Sequence, residues 1–499
     1  MRILLAVVAS VAATLAFFDT ATAQYANLIS CLQGIQGNPK SYLTIPSSST
    51  YNTDRLGYNV NFNYKPSALY HPATVDDAGA AIQCAAKYNI SIAPRSGGHS
   101  FEGYGQGGRD GSLVIDVNQF QQFSMDAQTG VATIGAGTRL GPLYMRLWEA
   151  GQFLVPGGTC PSVGIGGIAL GGGIGMVSRK YGALTNSIVG MEMLDATGTK
   201  RHISETSNPE LFWALRGAGG GSFGLVTEFQ IQAYKAPSAV TTMVYKYPLA
   251  SYRAAMEGFT KFGRNAPNEF FGAMSVRSNE IELRVNYLSS ASIANKTVAP
   301  MLARIGVKPL SSDVQEGSWI KAAAKWSGST NPLDDPDLSV HRYHRGGSLV
   351  YRRLLSVTEM DTIFNNLNRR PAESASAYVI FEMWGGKMDR PPRRSPAAFD
   401  RHRGVVLGLD FGITWKDPTN QTGTQCAACL EWSAQFRKEL YDAYDGGPQS
   451  LEAYQNYIEF DLPNWLEAYY GNGVSRLQQI KKDVDSNNLF TFPQSIPLP

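Results

Sequence analysis

The chain has 499 residues, 43% hydrophobic and 17% charged, the composition of an ordered globular protein and not of a disordered one. Its 44 Lys+Arg against 41 Asp+Glu leave a formal net charge of +3, too balanced to argue for nucleic acid or an anionic membrane as partner. Such a length fits two domains, and 24 Tyr, 22 Phe and 8 Trp offer stacking surface beyond what a core needs.

Taken in order, the chain begins with Arg2, an apolar run from Ile3 to Phe18, and Ala21-Thr22-Ala23. This reads as a secretory leader, residues 1–23, cleaved before Gln24. A membrane anchor is the alternative, but the run is short and ends in an A-x-A site. No other stretch is long and apolar enough to span a bilayer. Three sequons, at Asn89, Asn295 and Asn420, become usable on secretion in a eukaryote.

Thr74 to Tyr88 reads as a helix with Thr74 near its N-cap and Ala81, Ile82, Ala85 and Ala86 on one face. Ile90–Ala93, Leu113–Val117 and Val131–Ile134 read as strands, and Leu140–Ala150 as a helix. After a glycine-crowded stretch from Gly157 to Gly182 come the strand Ile188–Leu194 and the helix Pro209–Leu215, which begins on proline. A second glycine cluster follows, then the strand Leu225–Ala233. Glycines thin out beyond Ala236-Pro237, where a domain boundary is expected. Strands Thr241–Tyr247, Phe271–Val276, Ile281–Tyr287, Ala377–Met383 and Val405–Trp415 there interleave with helices Tyr252–Phe262 and Ser292–Arg304. The segment from Tyr454 onward reads as returning to cover an existing site.

Five cysteines in a secreted chain should pair. Cys31 with Cys84 and Cys426 with Cys429 would leave Cys160 odd, and Cys160 lies in the glycine stretch. Cys426-Ala427-Ala428-Cys429 as a metal half-site is the alternative, without a second Cys/His pair at zinc spacing; no metal is expected. Two spots match G-x-G-x-x-G/A: Gly164-Gly166-Ala169 and Gly219-Gly221-Gly224. A Rossmann site needs that pattern after a strand and opening a helix. The first follows Thr159-Cys160-Pro161 and the second runs into a strand, so neither qualifies. His99 sits after a Ser-Gly-Gly turn whose backbone N–H groups can form an anion nest for a pyrophosphate, with Arg95 adding charge.

Three motifs, Pro94-Arg95-Ser96-Gly97-Gly98-His99-Ser100, Gly158-Thr159-Cys160-Pro161-Ser162-Val163-Gly164 and Leu211-Phe212-Trp213-Ala214-Leu215-Arg216-Gly217, resemble the berberine bridge enzyme-like flavoproteins of the vanillyl-alcohol oxidase superfamily. So does the C-terminal set Tyr454-Gln455-Asn456-Tyr457, Trp465, Tyr469-Tyr470-Gly471, Arg476-Leu477 and Ile480-Lys481. Within the family the chain is similar to fungal carbohydrate oxidases of the glucooligosaccharide oxidase kind. The resemblance implies an α+β fold: a two-part FAD-binding domain, residues 24–236 with 454–499, and a substrate domain, 237–453, with an antiparallel sheet flanked by helices.

The resemblance also implies a bicovalent FAD, with His99 on the 8α-methyl carbon and Cys160 on C6; imidazole and thiolate are both suitable nucleophiles. Arg95, Ser96, Gly97, Gly98, Ser100, Val163, Gly164, Gly167, Gly172 and Gly175 would line the cofactor. Tyr457 would act as base with Glu382 taking its proton, and Asp410 is a second candidate for base or substrate contact. A tyrosine of ordinary pKa ~10 needs such help. Hydride from the anomeric carbon of a reducing-end mono- or oligosaccharide would then give a lactone, with dioxygen as acceptor and hydrogen peroxide as product. Val163 corresponds to a valine that goes with oxygen access in relatives. The alternatives are the same scaffold oxidising an alcohol, aldehyde or amine, and a catalytically silent binding protein. A monomer is expected, without nucleic-acid or membrane partners. Three positions depart from the family pattern: Ile168 replaces a histidine near the flavin's pyrimidine side, Phe101 replaces a tyrosine of the sugar site, and Asn186 replaces an aspartate.

Overall fold

The computed structural model of the protein describes residues 23–277, 279–327, 341–389, 396–399, 403–416 and 426–499; residues 1–22 of the expected leader and the Asn420 sequon lie outside them. Asn89 and Asn295 are exposed.

The first layer is a four-stranded sheet in the order Tyr42–Thr44, Ala68–His71, Leu113–Asp116, Ile92–Arg95. The last three strands run parallel, and Ala68–His71 and Leu113–Asp116 are buried throughout, as parallel strands covered on both faces must be. The covering helix is Val75–Lys87, where the Thr74 side chain accepts from the Asp77 N–H. A disulfide ties its Cys84 to Cys31 in the helix of residues 23–33. A five-stranded antiparallel sheet follows, in the order Phe123–Asp126, Val131–Gly135, Leu225–Gln232, Ile188–Leu194, Lys200–Ser204. Neither glycine-motif match is strand–turn–helix: Gly164 caps the short helix Ile165–Gly171 after a turn, and Gly219–Gly224 lead into the strand Leu225–Gln232.

Residues 240–415 supply a seven-stranded antiparallel sheet in the order Ser311–Gly317, Val240–Pro248, Glu280–Tyr287, Phe270–Arg277, Ser374–Met383, Leu407–Trp415, Tyr343–Tyr351. Two of these strands escape the hydrophobic-pattern reading for physical reasons. Ser311–Gly317 is an exposed edge strand with no apolar alternation, and Tyr343–Tyr351 carries His344, Arg345, Gly346 and Gly347 in its first half. Alternation divides the central strands cleanly. Phe381, Met383, Leu409 and Phe411 are buried, and Phe411 packs edge-on against Phe436 of the helix Ala427–Ala443. Tyr378, Glu382 and Asp410 alternate with them and face the other way. Cys426 and Cys429 form a disulfide at the start of that helix, so the metal half-site alternative falls and Cys160 is the free thiol.

The C-terminal segment returns across the first two sheets. Leu489 accepts from the Ile92 N–H, the Tyr470 hydroxyl donates to the Ala218 carbonyl, and buried Lys481 donates to the Ser222 carbonyl.

Candidate active site

The turn after the strand Ile92–Arg95 is held open by its surroundings. Ser96 donates to the Ala136 carbonyl, the Tyr58 N–H donates to the Gly98 carbonyl, and Gly98 takes φ +68°. The backbone N–H groups of Ser96, Gly97, Gly98, His99 and Ser100 find no acceptor among the described residues. Five unpaired donors in succession, one at a left-handed glycine, are the chemistry of an anion nest. Arg95 lines the same cavity as the turn and is also tied within the fold. Its Nε pairs with Asp116 at 2.6 Å and its Nη1 donates to the Asp54 carbonyl, so it braces the strand ends. Ser96, Gly97, Gly98 and His99 line a cavity of about 750 Å³ with Arg139 and Tyr58.

A second loop lies against this turn. A Cβ on Gly97 would stand 2.2 Å from the Gly164 nitrogen, and one on Gly164 would stand 2.2 Å from the Gly97 nitrogen, so the two backbones touch. The loop is pinned on its far side: Leu140 and Gly141 N–H donate to Val163 and Pro161, and Arg139 donates to the Ser162 carbonyl. Cys160 is exposed, yet burial raises its thiol pKa above the usual value. Both hold for a sulfur facing a water-accessible cleft deep in the fold. A Cβ on Gly167 would meet nothing within 4 Å, so the backbone there lies open. Gly172 and Gly175 are glycine for a different reason: added Cβ atoms would lie 2.8 Å from the Tyr454 ring and 1.8 Å from the Gly157 carbonyl oxygen. Val163 and Ile168 are half-buried; Asn186 accepts from the Ala183 N–H and serves a local cap. The nest, the open strip at Gly167 and the cleft-facing thiol fit a long, flat, phosphate-bearing cofactor such as FAD.

The opposite wall comes from the seven-stranded sheet and the C-terminal return. Tyr457 donates from its hydroxyl to Glu382 Oε1 at 3.2 Å, and Trp384 Nε1 donates to Oε2 at 3.3 Å. Asp410 pairs with Ile380 across the strands while Glu382 pairs with Gly408, so the two acids are diagonal neighbours on one face. Tyr457 stacks on Phe101 at 5.8 Å and meets Tyr454 edge-on at 5.1 Å. The Tyr454 hydroxyl in turn accepts from the Gly173 N–H and from Asn456. Asn59 bridges the walls, donating to the Phe101 and His344 carbonyls. Burial raises Glu382, and burial with the Glu382 charge raises Asp410 well above the carboxylate range. Tyr457 is raised well above the usual tyrosine value, by burial first and by Glu382 next, so it stands protonated.

The predicted residues Tyr457, Glu382, Asp410 and Cys160 lie near enough for their charges to act on one another, and His99 lines the cavity beside the Ser96–Ser100 turn. Tyr58, Ser162, His344, Tyr378 and Trp384 belong to the site as well and were not singled out from sequence. Tyr58 stacks on His99 at 4.6 Å, and Tyr378 hydrogen bonds His344 Nε2 at 3.0 Å. Trp384 and Ser162 lie two residues from Glu382 and Cys160, which is the signal that points to them. Tyr58 and His344 lie in segments with no pattern of their own.

Residues 66–204 match the FAD binding domain family, and residues 453–497 match the berberine and berberine-like family. BBE-like 1 of Physcomitrella patens has a structure that superposes with a TM-score of 0.86 at 33% identity, over 95% of this chain and 99% of that one. The xylooligosaccharide oxidase of Thermothelomyces thermophilus is 28% identical over 99% of both chains. The glucooligosaccharide oxidase of Acremonium strictum, whose structure is described as revealing a novel flavinylation, superposes with a TM-score of 0.85 at 25% identity, over 94% of this chain and 98% of that one. The chain belongs to the berberine bridge enzyme-like family and is an FAD-dependent oxidoreductase.

Proposed function

We propose that the protein oxidises the reducing end of a mono- or oligosaccharide to a lactone, with dioxygen as the final acceptor. The observation that carries this reading is the Tyr457–Glu382 hydrogen bond at 3.2 Å on the wall facing Cys160. The substrate names of the fungal relatives support it. FAD, when bound, supplies the hydride acceptor and passes the electron pair to dioxygen, giving hydrogen peroxide.

The chain's own residues manage the proton. Tyr457 takes the proton of the anomeric hydroxyl and hands its own to Glu382, so no free tyrosinate is needed at any stage. The raised affinity of Glu382 for a proton makes it the better acceptor. Trp384 holds the carboxylate in place from its other oxygen. Asp410 stands beside Glu382 as a contact for a substrate hydroxyl. His99 and Cys160 would hold the cofactor by two covalent bonds. In this reading residues 24–236 with 454–499 carry the cofactor and 237–453 carry the substrate.

Secretion is part of the proposal, and the leader sequence and two disulfides support it. No described helix is long and apolar enough to cross a membrane. The test is a peroxide assay over mono- and oligosaccharides, alcohols and amines. Peroxide with reducing sugars is expected; peroxide only with non-sugar alcohols or amines refutes the substrate reading.

A further inference from the structure

His99 is held at one nitrogen only. Its Nε2 lies 2.8 Å from Ser162 Oγ, and the Tyr58 ring covers one face at 4.6 Å and 21°. Nδ1 has no hydrogen-bond partner among the described residues, and it is not among the sealed polar atoms that lack one. It therefore faces open space. Ser162 itself is fixed, because Arg139 donates to its carbonyl and Leu140 and Gly141 clamp its neighbours.

We propose that Ser162 is the positioning residue for covalent attachment at His99: it turns the imidazole so that Nδ1 meets the cofactor, and it follows the Nε2 proton through the reaction. The proposal rests on the bicovalent reading above. In the attachment, the 8α-methyl group loses a hydrogen, the imidazole loses its N–H proton, and a C–N bond forms. The two electrons and two protons go to dioxygen, which leaves as hydrogen peroxide. Nε2 changes character in that step. Before it, with Nδ1 carrying the attacking lone pair, Nε2–H donates to Ser162. After it, neutral Nε2 can only accept. A hydroxyl is the partner that can accept first and donate afterwards by rotating about its C–O bond. Burial and the nearby Arg139 cation hold the His99 pKa down to about 4, so the ring enters neutral and does not keep the extra proton. No other site for that proton is offered at Nε2 among the described residues.

The experiment is peptide mass spectrometry of the flavin-loaded protein after denaturation and digestion, on wild type, Ser162→Ala and Ser162→Thr. The wild type is expected to carry one flavin joined to both the His99 and the Cys160 peptides. Ser162→Ala is expected to keep the Cys160 bond and lose at least ~90% of the His99 bond, about 1.4 kcal/mol or more in relative attachment. Ser162→Thr, which keeps the hydroxyl, is expected to restore it. A Ser162→Ala protein with the His99 bond at the wild-type level overturns the role of Ser162 alone. Loss of both bonds in Ser162→Ala also counts against it, because an effect through His99 must spare Cys160. A wild type that releases its FAD overturns the bicovalent reading and this inference with it.

Discussion

Replacing Tyr457 by phenylalanine removes one oxygen from the site and little else. The Phe101 stack at 5.8 Å and the Tyr454 edge contact at 5.1 Å are ring contacts that phenylalanine keeps. The hydrogen bond lost is long, 3.2 Å against the ~2.7–2.8 Å usual for O–H···O, so little ground-state binding goes with it. What is lost is the proton acceptor. Positioned general bases contribute ~10²–10⁴-fold, or ~3–5 kcal/mol of barrier at ~1.4 kcal/mol per tenfold. The assay is anaerobic rapid mixing with a reducing sugar, following bleaching of the flavin absorbance. Flavin reduction at saturating sugar should slow by that factor, with the cofactor retained and the half-saturating sugar concentration within a few-fold of wild type. Reduction within threefold of wild type refutes the role given to Tyr457.

Glu382→Gln should lower reduction and flatten the acid limb of its pH profile. In the wild type that limb should lie above glutamate's ordinary value, since Glu382 must be ionised to accept and burial raises it. A stability effect is expected from a second group of charges. Arg345 joins Glu102 at 3.0 Å and Asp461 at 2.6 Å, while Arg437 joins Asp461 at 2.7 Å and Glu459 at 3.1 Å. Burial raises Glu102 to about 8 and Glu459 to about 7. Carboxyl groups raised in the folded state stabilise it at low pH and lose that contribution as pH rises through those values. The unfolding midpoint, followed by calorimetry, should therefore fall over that window from this cluster. Arg345→Met removes the cation that lowers Glu102, so the fall in the midpoint should move to higher pH; a fall at the wild-type pH contradicts the pairing. Replacing Cys31 and Cys84 by serine opens a closure of sequence separation 53, and chain entropy sets the loss at ~4 kcal/mol. A denaturation midpoint equal to wild type would contradict it.

The sequence carries the cofactor half of the site more legibly than the substrate half, for a physical reason. The half proposed to take the cofactor is built from close backbone, and backbone needs show as glycine, proline and a histidine or cysteine at fixed places: Ser96 to His99, Gly158 to Gly164. The pairing of Arg95 with Asp116, beside the cavity it lines, is not legible in the sequence. The tight packing of Gly172 against Tyr454 and of Gly175 against Gly157 is not legible from glycine count. The substrate wall is made of single side chains on paired strands. Glu382 and Asp410 become neighbours only through register, and His344 lies on a strand that its charged and glycine residues conceal. Tyr58 enters from a coil segment and reaches His99 through tertiary contact alone.

The register also separates the roles of the two acids. Glu382 and Asp410 are diagonal neighbours on one face; burial and then the Glu382 charge raise Asp410 well above the carboxylate range, while burial raises Glu382 against the lowering effect of its two donors. The two acids differ in their donors. Glu382 receives two, from Tyr457 and Trp384, one on each oxygen. Asp410 Oδ1 is buried without any partner. A carboxylate that accepts two hydrogen bonds keeps its negative charge more cheaply than one that accepts none. Asp410 is therefore the acid favoured to stay neutral, and Glu382 the one favoured to receive from Tyr457. Trp384→Phe takes a hydrogen bond from Glu382 alone and raises its affinity for a proton further. That variant should slow flavin reduction most at low pH, whereas Asp410→Asn, which keeps a donor at the same place, should leave the pH dependence of reduction standing and act on sugar binding.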